Sequence, residues 1–248
     1  MRDGLRLAVG TLTALPIKPP SNVDQRTARA AVLLAPFAAL PLGLCVAATL
    51  WLTDLLGVDS LASGLLAVGV LALGTRAFHL DGLADTADGL TASYDRERSL
   101  AVMKSGSVGP AGVAALIVVL GLQAVGFASL SIQPIAAGVL VLASRSALAI
   151  ACIRGIPAAD GAGLRVPFAG CVSWPLALLW WISAAAIAGL VLALVGMPWQ
   201  GAAVGFAVAT VVVALLIRRA VTRLGGITGD IFGASIELTL ATLLVAAA

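Results

Sequence analysis

Apolar residues in this chain run on continuously, without the alternation of half-buried strands. Ala31–Thr53, Leu61–Phe78, Pro110–Leu130, Pro134–Cys152, Trp174–Val195, Ala202–Ile217 and Ile231–Ala248 are all nearly free of charge. The hydrocarbon layer of a bilayer is about 30 Å thick, which a helix of about 20 apolar residues crosses. Barrel strands would instead alternate at every second residue. The pattern therefore predicts an all-α, polytopic membrane protein of about seven transmembrane helices, built as one integral-membrane domain over residues 1–248. Leu5–Ile17 is shorter, follows Arg2 and Arg6, and leads into Lys18-Pro19-Pro20 rather than a small-residue cleavage site. It reads as a retained interfacial or re-entrant helix, not a signal peptide.

The polar positions between the runs set the topology. Lys18, Arg26 and Arg29 precede the first span, while Asp54 to Ser60 after it holds no basic residue. Arg96, Arg98 and Lys104 lie between the second and third spans, Arg154 and Arg165 after the fourth, and Arg218, Arg219 and Arg223 after the sixth. The intervening turns, Ser131 to Gln133 and Met197 to Gly201, are uncharged. The loop cations thus share one face, which the positive-inside rule assigns to the cytoplasm. Composition agrees: 60% of the 248 residues are apolar and 11% charged, against about a quarter charged in soluble domains, and mean hydropathy is +1.08. So few charges exclude a soluble enzyme, a disordered chain and a nucleic-acid binder, and the net charge of +3 implies no polyanion partner. Cys45, Cys152 and Cys171 share no metal-ligand spacing and read as packing residues.

Scarce charge makes its placement informative. In His79-Leu80-Asp81-Gly82-Leu83-Ala84-Asp85-Thr86-Ala87-Asp88-Gly89-Leu90 the three aspartates, at i, i+4 and i+7, fall on one helical face. Like charges stacked that way destabilise a helix unless a cation sits among them. Hard cations such as Mg²⁺ take carboxylate oxygens together with substrate phosphates, so a magnesium–phosphate site is expected, against a solvated acidic face as the plain alternative. Gly82 and Gly89 imply either close backbone approach to a ligand or tight helix–helix packing. His79, the only histidine, fits a general base or an interfacial residue bonded to backbone.

A second cluster is Leu224-Gly225-Gly226-Ile227-Thr228-Gly229-Asp230, followed by Glu237 one face-repeat later. Gly225, Gly226 and Gly229 could cradle phosphate through backbone amides, and an acid at the depth of Glu237 should face the bundle interior. Arg76 reads as snorkelling to the interface. Arg145 lies about 10 Å below the interface at 1.5 Å per residue and is expected to face a cavity and pair with an aspartate or phosphate. Lys104 with Ser105-Gly106-Ser107 offers an anion-binding loop, and Asp95-Arg96-Glu97-Arg98 reads as a solvated turn. Acids for a cation, with glycines and bases for phosphates, point to phosphoryl transfer.

These strings resemble the cobalamin synthase family, the adenosylcobinamide-GDP ribazoletransferases. His79 through Leu90 is similar to that family's His-Leu-Asp-Gly-Leu-Ala-Asp-Thr-Ala-Asp-Gly core, and Leu224 through Asp230 with Gly233-Ala234 and Glu237 to its C-terminal motif. Met103-Lys104 and Leu12-Thr13-Ala14-Leu15-Pro16 match two further segments. The chain departs from the family in having Ser105-Gly106-Ser107 where an acid and an arginine are usual, and Ala14 where an arginine is usual. The resemblance implies transfer of cobinamide phosphate from adenosylcobinamide-GDP to α-ribazole or its 5′-phosphate, with GMP leaving. It implies Mg²⁺ held by Asp81, Asp85, Asp88 and Asp230. The catalytic residues would be Asp81, Asp85, Asp88 and His79. Lys104, Arg145, Gly225, Gly226, Thr228, Gly229 and Glu237 would contact substrate. Implied too are a bacterial inner-membrane location with the site facing the cytoplasm, lipid as surroundings, and a homo-oligomer or a complex with other pathway enzymes as an open question. The rival readings are a CDP-alcohol or prenyl-type membrane transferase and a cation-coupled transporter. The CDP-alcohol pattern fails at Asp85 and Thr86, and the acids lie at helix ends rather than at the midplane expected of a transporter.

Overall fold

A computed structural model describes residues 1–159 and 165–248, all of whose named elements are helices. In chain order these are α1 (Arg2–Leu12), α2 (Gln25–Ala38), α3 (Leu40–Leu55), α4 (Ser60–Gly74), α5 (Phe78–Ala92), α6 (Arg96–Met103), α7 (Pro110–Ser129), α8 (Pro134–Ser144), α9 (Ala147–Ala151), α10 (Arg165–Phe168), α11 (Trp174–Leu194), α12 (Gln200–Leu224) and α13 (Gly229–Ala247). Six are long and apolar enough to cross a membrane, counting α2 with α3 and α8 with α9 as single spans. A seventh exists if α4 and α5 count together, although 93° separates their axes. The expected count of about seven is met in that form, and the chain is a multi-pass membrane protein.

The outer belt is apolar and exposed, with Leu66, Ile117, Leu190 and Val211 among its members, as suits a protein whose solvent there is lipid. Inside, α13 packs against α5, α7, α8, α9 and α12, and is therefore the helix around which the others assemble. Its Leu240, Leu243 and Leu244 share one core with Leu42, Phe127, Trp181 and Phe206.

Several boundaries differ from the sequence reading. The N-terminal helix ends at Leu12 rather than at Ile17, because Pro16 disfavours helix at the residue before it. It packs its Leu7, Ala8 and Leu12 toward α2. The first span begins at Gln25, where the Asp24 carboxylate accepts the Thr27 amide at 2.8 Å, and it breaks at Ala39 between Pro36 and Pro41. The second ends at Gly74 instead of Phe78, because Arg76 and Ala77 take φ of 57° and 55° and turn the chain. The Arg76 guanidinium is exposed, as a snorkelling group would be, and donates to the Gly10 carbonyl at 2.9 Å. Asp95 to Arg98 is exposed, as a solvated segment would be, but it forms the start of α6, with Asp95 capping the helix by accepting the Arg98 amide. The sixth span stays helical through Arg218, Arg219 and Arg223 to Leu224, where Gly225 at φ 76° closes it.

Candidate active site

The site begins where α5 crosses α13. A β-carbon on Gly82 would lie 2.9 Å from the Asp230 carbonyl oxygen, and one on Gly233 would lie 3.0 Å from the His79 carbonyl oxygen. Each helix thus offers a glycine to the backbone of the other. Gly89 makes room instead for the side chain of Met103 of α6. Of the two roles open to Gly82 and Gly89, the structure uses them for helix packing.

This crossing gathers the acids. Asp81 is exposed, while Asp85 and Asp88 are turned inward, at 9% and 6% exposure. Asp85 sits within the electrostatic reach of Asp81, Asp230 and Asp88. Asp230 is half-buried and accepts the Thr228 hydroxyl at 3.0 Å. Asp88 is committed to the fold: its two oxygens accept the backbone amides of Gly109 at 2.6 Å and Gly112 at 2.9 Å. Those are N-terminal donors of α7, which no side chain of α7 itself caps. A β-carbon at Gly109 or Gly112 would press on that carboxylate, so a side chain at either would have to displace it. Among the described residues no three His, Cys, Asp or Glu side chains close into a ready metal-ligand set.

Behind the acids lies a buried polar group. Glu237 is buried and accepts the Gln123 amide Nε2 at 2.7 Å. His79, also buried, faces Glu237 Oε1 through Nδ1 at 3.7 Å, too far for a hydrogen bond. Arg145 is wholly buried at the break between α8 and α9 and donates to the Val141 carbonyl and Ser144 Oγ, both at 2.8 Å. Its opposite charge is Glu237. Arg145, expected to clamp phosphate, and Glu237, expected to contact substrate, thus act on each other inside the fold. Both side chains are buried inside the bundle, where a charge without a counter-charge would be very costly. His79 likewise is neither interfacial nor bonded to backbone. Gln123 escaped the sequence reading, although a lone amide inside the apolar run of α7 was a signal for it.

The sequence profile of the cobalamin-5-phosphate synthase (CobS) family matches residues 4–248. The chain belongs to the CobS family. It is 52% identical over 246 residues to an adenosylcobinamide-GDP ribazoletransferase of a Nocardioides species, covering 99% of this chain and 98% of that one. Proteins of the same name from Frankia casuarinae and Chlorobaculum tepidum are 38% identical over 268 residues and 35% identical over 257. These alignments cover 98% and 100% of this chain and 93% and 96% of the relatives. No solved structure matches. As a CobS-family member the chain is a transferase of cobalamin biosynthesis.

The glycine-rich stretch of this CobS-family chain is largely used by the fold. Gly225 ends α12 and lies against the Arg96 guanidinium, which donates to the Ala159 carbonyl. Gly226 packs on the backbone of residues 157–159. Beside it the Ile227 amide donates to Pro157 at 2.9 Å and its carbonyl accepts the Ala159 amide at 3.0 Å. The expected phosphate cradle at Gly225 and Gly226 is therefore filled by the chain itself. Gly229 differs, with open space beside it at the start of α13. Thr228 is buried, and Lys104 is exposed at the end of α6.

Proposed function

We propose that this chain transfers the cobinamide-phosphate group of adenosylcobinamide-GDP to a ribose hydroxyl of α-ribazole or its 5′-phosphate, at the cytoplasmic face of the membrane. The hydroxyl oxygen bonds to the phosphorus that carries cobinamide, the bridging P–O bond to the GMP phosphate breaks, and GMP leaves. The product is adenosylcobalamin or its 5′-phosphate. The names of the relatives supply the substrates. The observation that carries the reading is the contact of Gly82 with Asp230, since it joins an acid of the last helix to the acids of α5.

Mg²⁺ fits this donor set. It is usually bound through one or two carboxylates, with waters and substrate phosphates completing its shell, so an open group of hard oxygen donors suits it better than a closed cage. Asp81, Asp85 and Asp230 would hold it, with Asp88 fixing α5 to α7 beside them. When bound, the ion supplies neutralisation of the charge that develops on the departing phosphate. Lys104 would meet the diphosphate as a point charge, and the α13 amides beside Gly229 would receive a phosphate oxygen. The negative charge of Glu237, 3.7 Å from Nδ1 of His79, favours the tautomer with its proton on that nitrogen. Nε2 is then left to take the proton of the attacking hydroxyl.

Purified protein offered adenosylcobinamide-GDP, a CDP-activated alcohol and a prenyl diphosphate side by side tests the reading. Product and GMP from the first alone are expected, and turnover of either other donor in its place overturns it.

A further inference from the structure

We infer that an apolar cavity beside His79 receives the bicyclic base of the ribazole acceptor, an assignment that rests on the transferase reading above. The cavity holds about 140 Å³ and is walled by Phe78, Phe168 and Phe232 together with Leu12, Leu148 and Ile236. Phe168 and Phe232 stand with ring centroids 5.8 Å apart and planes tilted by 51°. An apolar cavity of about 150 Å³ lined by such residues accepts a benzene-sized ring. Among the described residues its wall carries no Asp, Glu, Lys or Arg, and His79 is the one titratable member. Thr11, the other polar residue there, spends its hydroxyl on the Leu7 and Ala8 carbonyls.

The chemistry of the two substrates selects the occupant. Guanine, adenine, ribose and diphosphate are all rich in groups that need polar partners, and a corrin ring is far larger than the cavity. The dimethylbenzimidazole of ribazole is flat, uncharged and apolar at its methylated edge, so that edge matches the lining, and its benzo ring is the benzene-sized part the cavity has room for. The location matches too. Gly229 and Gly233 of the cavity wall bracket Asp230 in sequence, and Asp230 lies within electrostatic reach of Asp85. A base held among the phenylalanines therefore leaves its ribose to span toward the carboxylates.

The test uses the full chain in lipid nanodiscs and two variants. Phe78 is exposed, so Phe78→Ala removes a ring without opening the core, and Phe232→Leu removes a ring while keeping bulk. Base–aromatic stacking is worth enough that each change should raise the KM for α-ribazole about tenfold, with the KM for adenosylcobinamide-GDP unchanged. Calorimetry with free 5,6-dimethylbenzimidazole, without donor, should show binding to the original chain and weakened binding to both variants. Unaltered acceptor KM, a shift confined to the donor, or equal dimethylbenzimidazole binding by all three proteins overturns the assignment. Should the original chain make no cobalamin product, the transferase reading fails, and the calorimetric comparison still decides whether this cavity takes the base.

Discussion

Gly82 and Asp230 stand on helices far apart in sequence, yet a methyl group added to Gly82 would come within 2.9 Å of the Asp230 carbonyl oxygen. The acids of α5 and the acid of α13 are neighbours because backbone meets backbone there, with Gly233 returning the contact at His79. Overpacking such a junction costs about 1–3 kcal/mol. Gly82→Ala is expected to lower the thermal midpoint and to cut GMP release at least about tenfold, an activity loss worth about 1.4 kcal/mol. Thermal unfolding and turnover measured on one preparation check this; unchanged values for both would show that the helices need not approach so closely.

Asp85 and Asp88 share a helical face but should respond differently to loss of charge. Asp85→Asn removes one of several crowded negative charges, so stability should hold or rise while GMP release falls by a factor on the order of 100 or more. Asp88→Ala strands the Gly109 and Gly112 amides, a capping loss of about 1–2 kcal/mol, and should lower stability along with activity. Denaturation curves for the two variants separate the roles, and equal destabilisation would merge them.

The buried group of Gln123, Arg145 and Glu237 yields a prediction about stability. Gln123→Leu takes a 2.7 Å donor from Glu237 and should cost about 1–3 kcal/mol. Arg145→Leu leaves the Glu237 charge buried without its counter-charge and should cost about 3–5 kcal/mol. Adding Glu237→Leu to Arg145→Leu should restore part of that loss. If the two changes simply add in unfolding measurements, the charges do not compensate each other.

The spans were legible because lipid accepts few residue types, so a continuous apolar run leaves little choice of structure. Helix ends were less so. Hydropathy marks where the chain leaves the hydrocarbon, whereas α12 continues as helix through its arginines until Gly225 stops it. The break between α4 and α5 falls at Arg76 and Ala77, just past Gly74, and neither residue is of a type that announces a positive φ. Spacing alone put the three aspartates on one face, but the partners of Asp88 lie 21 and 24 residues away and depend on the α5–α7 contact. For Arg145, depth correctly demanded a counter-charge. Depth does not give rotation about the helix axis, so the sequence offers an aspartate or a phosphate as the partner, and the acid whose charge acts on Arg145 in the structure is Glu237.

Divalent-cation dependence is the most direct test of the claim that the acids at the α5–α13 crossing serve diphosphate chemistry. Purified protein stripped with EDTA would be supplied with adenosylcobinamide-GDP and α-ribazole, and GMP release followed as Mg²⁺ is added back. The expected result is negligible release without the ion, recovery on its addition, and no recovery in Asp85→Asn at the same concentration. Full release of GMP in EDTA, or an Asp85→Asn protein that turns over normally, would contradict it.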